Sequence, residues 1–222
     1  MSEGPSATGG TTVRVLPAGS RGVLLEVADT AAVLRLHAAV AALALPGVVD
    51  LVPAARTLLV VLDPAVTTPG AVAEAARRAR PNRDSGPETA AGRTVEVPVR
   101  YDGEDLAETA AHLGLDPAAL VGTHTATTWV VAFCGFAPGF PYCVATDGPA
   151  VDWQVPRRAE PRTRVPAGAV ALAGPWTGLY PTASPGGWQL LGTTDAPLWD
   201  TDRDPPALLP PGTRVRFRDV GT

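Results

Sequence analysis

The sequence predicts an α+β protein in two parts. Residues 11–92 read as a small sheet covered on one side by helices, and residues 93–222 as a predominantly β barrel or folded sheet with a helical preface. Three observations carry this. The first part runs strand, strand, helix, strand, strand, helix, an order compatible with one helix-covered sheet. The polar run Pro81–Gly92, which includes Asn82, Arg83, Asp84, Ser85, Gly86, Pro87 and Glu88 in succession, reads as a linker. From Thr127 onward, Gly and Pro recur every few residues between short apolar runs, the pattern of short strands joined by specific turns.

Taken in order, residues 1–10 form a polar tail, and Thr12–Leu16 and Gly22–Val27 read as strands. Asp29 or Thr30 caps a helix that runs to about Leu43, with Val33, Leu36, Val40 and Leu43 at helical spacing and Pro46-Gly47 ending it. His37 falls on the opposite, solvated face. Val48–Val52 and Thr57–Leu62 form a hairpin, and Thr67 or Thr68 precedes Pro69 at the first turn of a second helix ending near Arg80. Beyond the linker, Thr94–Val99 alternates as a strand, Asp105 to His112 is a short helix, and Asp116-Pro117 starts another. The clear strands after that are Thr128–Cys134, Ala169–Gly174, Trp188–Gly192 and Thr213–Phe217.

Composition excludes several function classes. A net charge of −4 gives no general attraction for nucleic acid or an anionic membrane. No apolar run reaches the roughly 18 residues of a membrane span. The start, Met1-Ser2-Glu3-Gly4-Pro5, lacks a basic region followed by an apolar core, so cytoplasm is the expected location. All 18 basic residues are Arg, which removes a phosphate-loop Lys, Schiff-base chemistry and a Lys general base. Any nucleotide site made by this chain alone would need Arg or backbone donors. Cys134 and Cys143 are too few for a metal site by themselves and read as enclosed thiols, so no metal is expected.

The chemistry-bearing stretch is His124 to Gly192, which holds four of the five Trp. Gly135–Tyr142 and Ser184–Trp188 are dense enough in Pro, Gly and aromatics to form rigid walls. Arg157, Arg158, Arg162 and Arg164 fall close together, while Asp147, Asp152 and Glu160 are the acids of the stretch. Such guanidinium groups near apolar walls suit a carboxylate or phosphate, and alternation makes Arg162 and Arg164 the better pair. The competing reading is a surface ion-pair patch with Glu160 and neighbouring acids. His124 is the one imidazole of the stretch, either a site residue or a structural histidine at a helix–strand junction. Ser184 lacks the strand–nucleophile–helix context of a hydrolase elbow, and no carboxylate pair of defined spacing is present. A binding surface without a complete catalytic set favours a site finished by a partner.

Four blocks carry a family resemblance: Phe136-Ala137-Pro138-Gly139-Phe140-Pro141-Tyr142, Pro161-Arg162-Thr163-Arg164-Val165-Pro166-Ala167-Gly168, Thr177-Gly178-Leu179-Tyr180-Pro181 and Ser184-Pro185-Gly186-Gly187-Trp188-Gln189-Leu190. In this order they resemble the family of 5-oxoprolinase B subunits, also called allophanate hydrolase subunit 1, which includes the sporulation-kinase inhibitor KipI. The resemblance implies a ferredoxin-like α/β domain followed by a cyclophilin-like β barrel. It also implies partner subunits A and C, and an ATP-dependent opening of 5-oxo-L-proline to L-glutamate. ATP with Mg2+ belongs to the complex, with none held tightly by this chain alone.

On family motif positions, His124, Arg162 and Arg164 are the catalytic candidates, and Pro138, Gly139, Phe140, Tyr180, Gly187, Trp188 and Gln189 line the substrate pocket. The expected chemistry is phosphorylation of the lactam oxygen followed by attack of water. Arg162, Arg164 and loop amides near Gly139 and Gly187 would stabilise the anion, and His124 would orient or exchange a proton. The resemblance leaves two alternatives, a KipI-like inhibitor of a histidine kinase and a carboxyltransferase-type subunit. One departure stands out: Cys143-Val144-Ala145-Thr146 replaces the family's Leu-Gly-Gly-Leu and is expected to alter a loop beside the pocket.

Overall fold

The computed structural model describes residues 13–79 and 93–221. The chain divides into two compact units, Met1–Gly86 and Pro87–Thr222. The tail 1–10, the linker 81–92 and the expected domain boundary at residue 92 lie outside the described residues.

In the first unit, the strands are β1 (Arg14–Pro17), β2 (Gly22–Glu26), β3 (Val48–Pro53) and β4 (Thr57–Leu62), paired antiparallel in the order β1-β2-β4-β3. Helix α1 (Thr30–Ala42) follows β2, and α2 (Pro69–Arg78) follows β4. Each starts where the sequence supplies a cap: the Asp29 carboxylate accepts from the Ala32 amide at 2.7 Å, and the Thr68 hydroxyl from the Ala71 amide at 3.3 Å. Central strands β2 and β4 alternate buried and half-exposed residues, so Val23, Leu25, Leu58, Val60 and Leu62 meet Val33, Leu36 and Val40 of α1 in one apolar core. His37, expected on a solvated face, is half-buried, and burial lowers its pKa against the opposing charge of Asp50.

The second unit is built on a seven-stranded sheet in the order β12-β9-β10-β7-β6-β13-β5. Its members are β5 (Thr94–Val99), β6 (Thr128–Cys134), β7 (Pro141–Asp147), β9 (Ala169–Ala173), β10 (Trp176–Leu179), β12 (Gln189–Thr193) and β13 (Arg214–Asp219). Only the β13–β5 pair is parallel. Between them, β8 (Arg162–Val165) and β11 (Ser184–Gly186) form a separate ribbon, and α3 (Leu106–His112) and α4 (Pro117–Ala126) precede β6. Strand β7 is not among the strands the sequence declares. It absorbs Cys143–Thr146, so this departure lies in a paired strand and not in a loop. Cys143 is enclosed in the core while its neighbours Tyr142 and Val144 are partly exposed, the alternation of a half-buried strand.

The sheet curls until its outer strands meet. Arg100, just after β5, exchanges backbone hydrogen bonds of 2.9 and 2.8 Å with Thr193 at the end of β12, and the Gly103 amide donates to Leu191 O at 3.0 Å. Two glycines make this approach possible. A Cβ on Gly192 would stand 2.1 Å from Arg100 O, and one on Gly103 would stand 2.2 Å from Leu190 O. Inside the curl, Val97, Val99, Trp129, Val131, Leu172, Leu179, Leu191, Val215 and Phe217 pack with Ala110 of α3 and Leu120 of α4. No described helix is long and apolar enough to cross a membrane.

Alanine at Gly192 is expected to cost about 2 kcal/mol or more, because backbone and not a flexible side chain must give way. For a chain of this size that lowers the thermal midpoint by several degrees, at roughly 2–4 °C per kcal/mol. A G192A midpoint equal to that of the unmodified chain would show that the closure is looser than described.

Candidate functional site

The four arginines of residues 157–164 fall into two kinds. Arg162, at the start of β8, clasps Asp105 with both terminal nitrogens: Nη1 donates to Oδ2 at 2.9 Å and Nη2 to Oδ1 at 2.8 Å. Nη2 also reaches Glu104 at 3.0 Å. Arg158 Nη1 donates to Asp105 Oδ1 at 2.7 Å, and the Leu190 amide donates to Oδ2 at 2.7 Å. Asp105 is only 3% exposed, so a carboxylate at the start of α3 holds together α3, β8 and β12. Burial pushes its pKa up, but the Arg162 bonds, the Leu190 amide and the two guanidinium charges outweigh burial and hold it below the ordinary carboxylate range. The clasp with Asp105, joined by Glu104, raises Arg162 in turn. Arg158 and Arg162 therefore face Asp105 and Glu104, and their charge is already answered.

The other two arginines are exposed. Arg164, expected to pair with Arg162 for anion binding, makes no hydrogen bond or ion pair among the described residues, and neither does Arg157. Glu160, the acid expected beside the cluster, forms no ion pair with any of the four.

His124 lies in the last turn of α4 and is fully enclosed. Its Nε2 is 3.1 Å from Thr177 Oγ1, whose hydroxyl donates to Ala171 O, so Nε2 carries the proton. Nδ1 then accepts from the Tyr101 hydroxyl at 2.8 Å. Phe217 stacks on the ring at 4.4 Å between centroids, and Trp129 and Trp153 close its sides. Burial drives the imidazole pKa down to about 3, and burial likewise raises the Tyr101 phenol. This histidine is a neutral tie inside the curl with no solvent contact. Proton exchange with a substrate would require the core to open.

The pocket residues read from the family motifs do gather, on the outer face of the sheet. Strand β9 reads Ala169-Val170-Ala171-Leu172-Ala173: Val170 and Leu172 point into the curl, and the three alanines point outward. Small residues there leave room for rings. Phe140 is the centre, edge-on to Tyr180 at 5.0 Å and to Trp188 at 5.4 Å and tilted against Tyr142 at 5.1 Å. A Cβ on Gly178 would come within 2.8 Å of the Trp188 ring and 2.9 Å of Phe140, so glycine is what lets both rings lie on β10. Gly139, at φ +80°, turns the loop that ends in Phe140 and sits against Trp199. Pro138 is exposed on the same loop, and Phe136 beside it is 64% exposed. Gly187 is buried, and Gln189 donates from Nε2 to Pro156 O at 3.1 Å while its Oε1 is enclosed without a partner.

Beside this aromatic face opens a cleft of about 490 Å3. It is lined by the aromatic Tyr142, Trp176 and Trp188, the small Ala173 and Gly174, and the polar Arg157 and His112. His112 Nε2 donates to Gln154 O at 3.1 Å. Of the residues expected to line the substrate pocket, Trp188 borders this cleft, while Phe140 and Tyr180 support it from the packed aromatic layer. Among the other lining residues are Arg157, which alternation left outside the preferred arginine pair, and Trp176, part of the Pro175-Trp176 pair that departs from the family pattern and was not expected in the pocket.

Other chemistry is scarce. Burial pushes the Cys134 thiol up to about 11 and Cys143 higher still, so neither is a ready nucleophile. No cluster of three or more His, Cys, Asp or Glu suited to a metal occurs among the described residues. The starts of α1, α2 and α4 are closed by the side chains of Asp29, Thr68 and Asp116, and α3 starts at the Asp105 carboxylate, which repels phosphate.

A curled sheet with a glycine-dependent aromatic face and an arginine–carboxylate tie defines a recognisable class. Residues 13–209 match the family described as carboxyltransferase domain, subdomain C and D, and the chain belongs to that family. More particularly, it is 43% identical over 177 residues to the 5-oxoprolinase B subunit of Escherichia coli O157:H7, covering 78% of each chain. The family resemblance read from the loop motifs is borne out. Among solved structures, the protein TTHA0988 superposes with a TM-score of 0.71 at 39% identity, covering 90% of this chain but 40% of that one. The K. lactis urea amidolyase gives a TM-score of 0.71 at 18% identity, covering 95% of this chain and 15% of that one, a likeness of fold.

Two measurements test these ties. Replacing Asp105 by Ala leaves the half-buried Arg162 with only the exposed Glu104 as counter-ion and is expected to cost roughly 3–5 kcal/mol in urea unfolding; a loss below about 1 kcal/mol is the surface-pair result. For His124, the folded pKa near 3 lies below the unfolded 6.5, so the unfolded chain takes up the proton first. Its contribution to stability is complete above pH 6.5 and falls as the pH drops toward 3. Between these limits the unmodified chain should lose more stability than H124Q, and the imidazole followed by NMR should stay neutral. A ring titrating near its ordinary value would contradict the enclosed geometry.

Proposed function

We propose that this chain is the B subunit of an ATP-dependent 5-oxoprolinase, which opens 5-oxo-L-proline to L-glutamate, and that it supplies one wall of a site completed by subunits A and C. The observation that carries the reading is the 43% identity to the E. coli protein across 78% of both chains. That relative's name favours it over the kinase-inhibitor and carboxyltransferase-type alternatives.

The geometry supports a shared site. This chain offers a rigid aromatic cleft with an unpaired cation, but its one imidazole of the motif stretch is sealed in the core and Arg162 is committed to Asp105. We assign His124 and Arg162 to holding the site's framework, and Phe140, Tyr180, Gly187, Trp188 and Gln189, with the Pro138–Gly139 turn, to shaping its wall. ATP with Mg2+ binds elsewhere in the complex on this reading. What the chain itself does is bind, orient and shield the substrate.

We further read the N-terminal unit as a ferredoxin-like arrangement whose edge strand comes first in sequence, since βαββαβ with its last strand moved to the front gives the element order and strand order found here. The curled sheet is read as a cyclophilin-like barrel. A cytoplasmic location goes with the two free thiols.

Co-purification with the candidate subunits A and C, followed by an ATP-dependent glutamate-release assay on 5-oxo-L-proline, tests the reading. Activity is expected only in the full mixture. Activity of this chain alone would overturn the shared-site account, and no activity in the full mixture would overturn the 5-oxoprolinase assignment.

A further inference from the structure

We propose that the cleft edged by Trp176 and Trp188 is the subsite for a small cyclic carboxylate, and that Arg157, rather than the Arg162 and Arg164 pair, takes the carboxylate. The inference rests on the 5-oxoprolinase reading for the choice of ligand and adds to it the residue that recognises the anionic end.

Elimination among the arginines is the first argument. Arg158 and Arg162 have their charge answered by Asp105 and Glu104. Arg164 is exposed and does not border the cleft. Arg157 is exposed, makes no ion pair among the described residues, and does border it. Its Nε lies 3.7 Å from where a Cβ on Gly187 would be, so the side chain passes beside Gly187 just after β11. Burial raises the Tyr142 and Tyr180 phenols and the Arg157 charge partly offsets this, so its field reaches both rings of the aromatic layer. An unpaired guanidinium beside an aromatic wall is well suited to a carboxylate, which it can meet with two parallel donors.

The second argument concerns the body of the ligand. The exposed lining of the cleft is mostly apolar, with Tyr142 and Trp176 bordering it beside the small Ala173 and Gly174. A flat, compact ring fits such a wall, and a long polar chain does not. The Trp176 ring borders the cleft, while its indole N–H is enclosed below the surface without an acceptor. A compact ring bearing a carboxylate supplies a partner for Arg157 and an apolar body for the Trp176 side of the cleft. The volume of about 490 Å3 exceeds one five-membered ring, leaving space for a group brought by another subunit.

The test uses the full chain and three probes: 5-oxo-L-proline, pyrrolidin-2-one, which keeps the lactam and lacks the carboxylate, and cyclopentanecarboxylate, which keeps the carboxylate and lacks the lactam. Binding is followed by the Trp176 indole N–H signal in 1H–15N spectra, assigned with W176F. Expected are a saturable shift with 5-oxo-L-proline, binding about 10- to 100-fold weaker for pyrrolidin-2-one, and a similar loss in R157A, whose fold is checked by thermal melting. An unmoved indole signal, equal binding of pyrrolidin-2-one, or a loss in R164A in place of R157A would overturn the assignment. The glutamate-release assay separates the two claims. A positive titration with an inactive full mixture retires the 5-oxoprolinase reading and keeps the subsite, whereas an active mixture with an unchanged KM in R157A retires the subsite alone.

Discussion

A single enclosed carboxylate sets the geometry of the second unit. Asp105 and Leu190 bond reciprocally: the Asp105 amide donates to Leu190 O at 3.1 Å, and the Leu190 amide returns to the Asp105 side chain at 2.7 Å. This pair lies beside Gly103 and Gly192, where the two outer strands of the curl meet. An ionised group at this depth is tolerated only with a full set of donors, and Arg158 and Arg162 complete the set. The helix start, the strand closure and the arginine segment are thereby tied to one point. The tie also decides the chemistry, because it removes two arginines from the pool of free cations.

The sheet meets two different demands on its two faces. Inward, large apolar side chains and the neutral His124 fill the curl. Outward, alanines on β9 and Gly178 on β10 give up volume so that Phe140, Tyr180 and Trp188 can pack as a layer of edge-on rings. Such pairs contribute about 0.5–1.5 kcal/mol each beyond area burial, which makes the layer rigid as well as apolar. A rigid wall bordered by the unpaired Arg157 is suited to holding a ligand. That holding role is what one component of a larger enzyme would show.

Much of this was legible in the sequence because it is local. Caps at Asp29, Thr68 and Asp116, the alternation of β5, and the glycine-rich turns each declare themselves within a few residues. Strand β7 was missed because Pro141 follows a loop-like run and because Cys143–Thr146 stood out only as a departure. The arginine tie was missed for a different reason. Arg158 and Arg162 find Asp105 more than fifty residues earlier, and no periodicity links positions that far apart. A signal was present all the same: four arginines and only three acids between residues 124 and 192 imply counter-ions from outside that stretch, and Glu104-Asp105 follow a strand-ending turn nearby. His124 misled for a related reason. Its partners Tyr101 and Thr177 come from both sides in sequence, so a sealed histidine looked like an available one.

The central claim is that Asp105 holds Arg162 in a buried pair and so withholds it from substrate. A double-mutant cycle with D105N, R162M and the combined variant, read by urea unfolding, addresses it directly. The account predicts a coupling energy of about 2 kcal/mol or more, with the double variant more stable than the sum of the single losses implies. Additivity within about 0.5 kcal/mol would contradict it and return Arg162 to the set of cations available for catalysis.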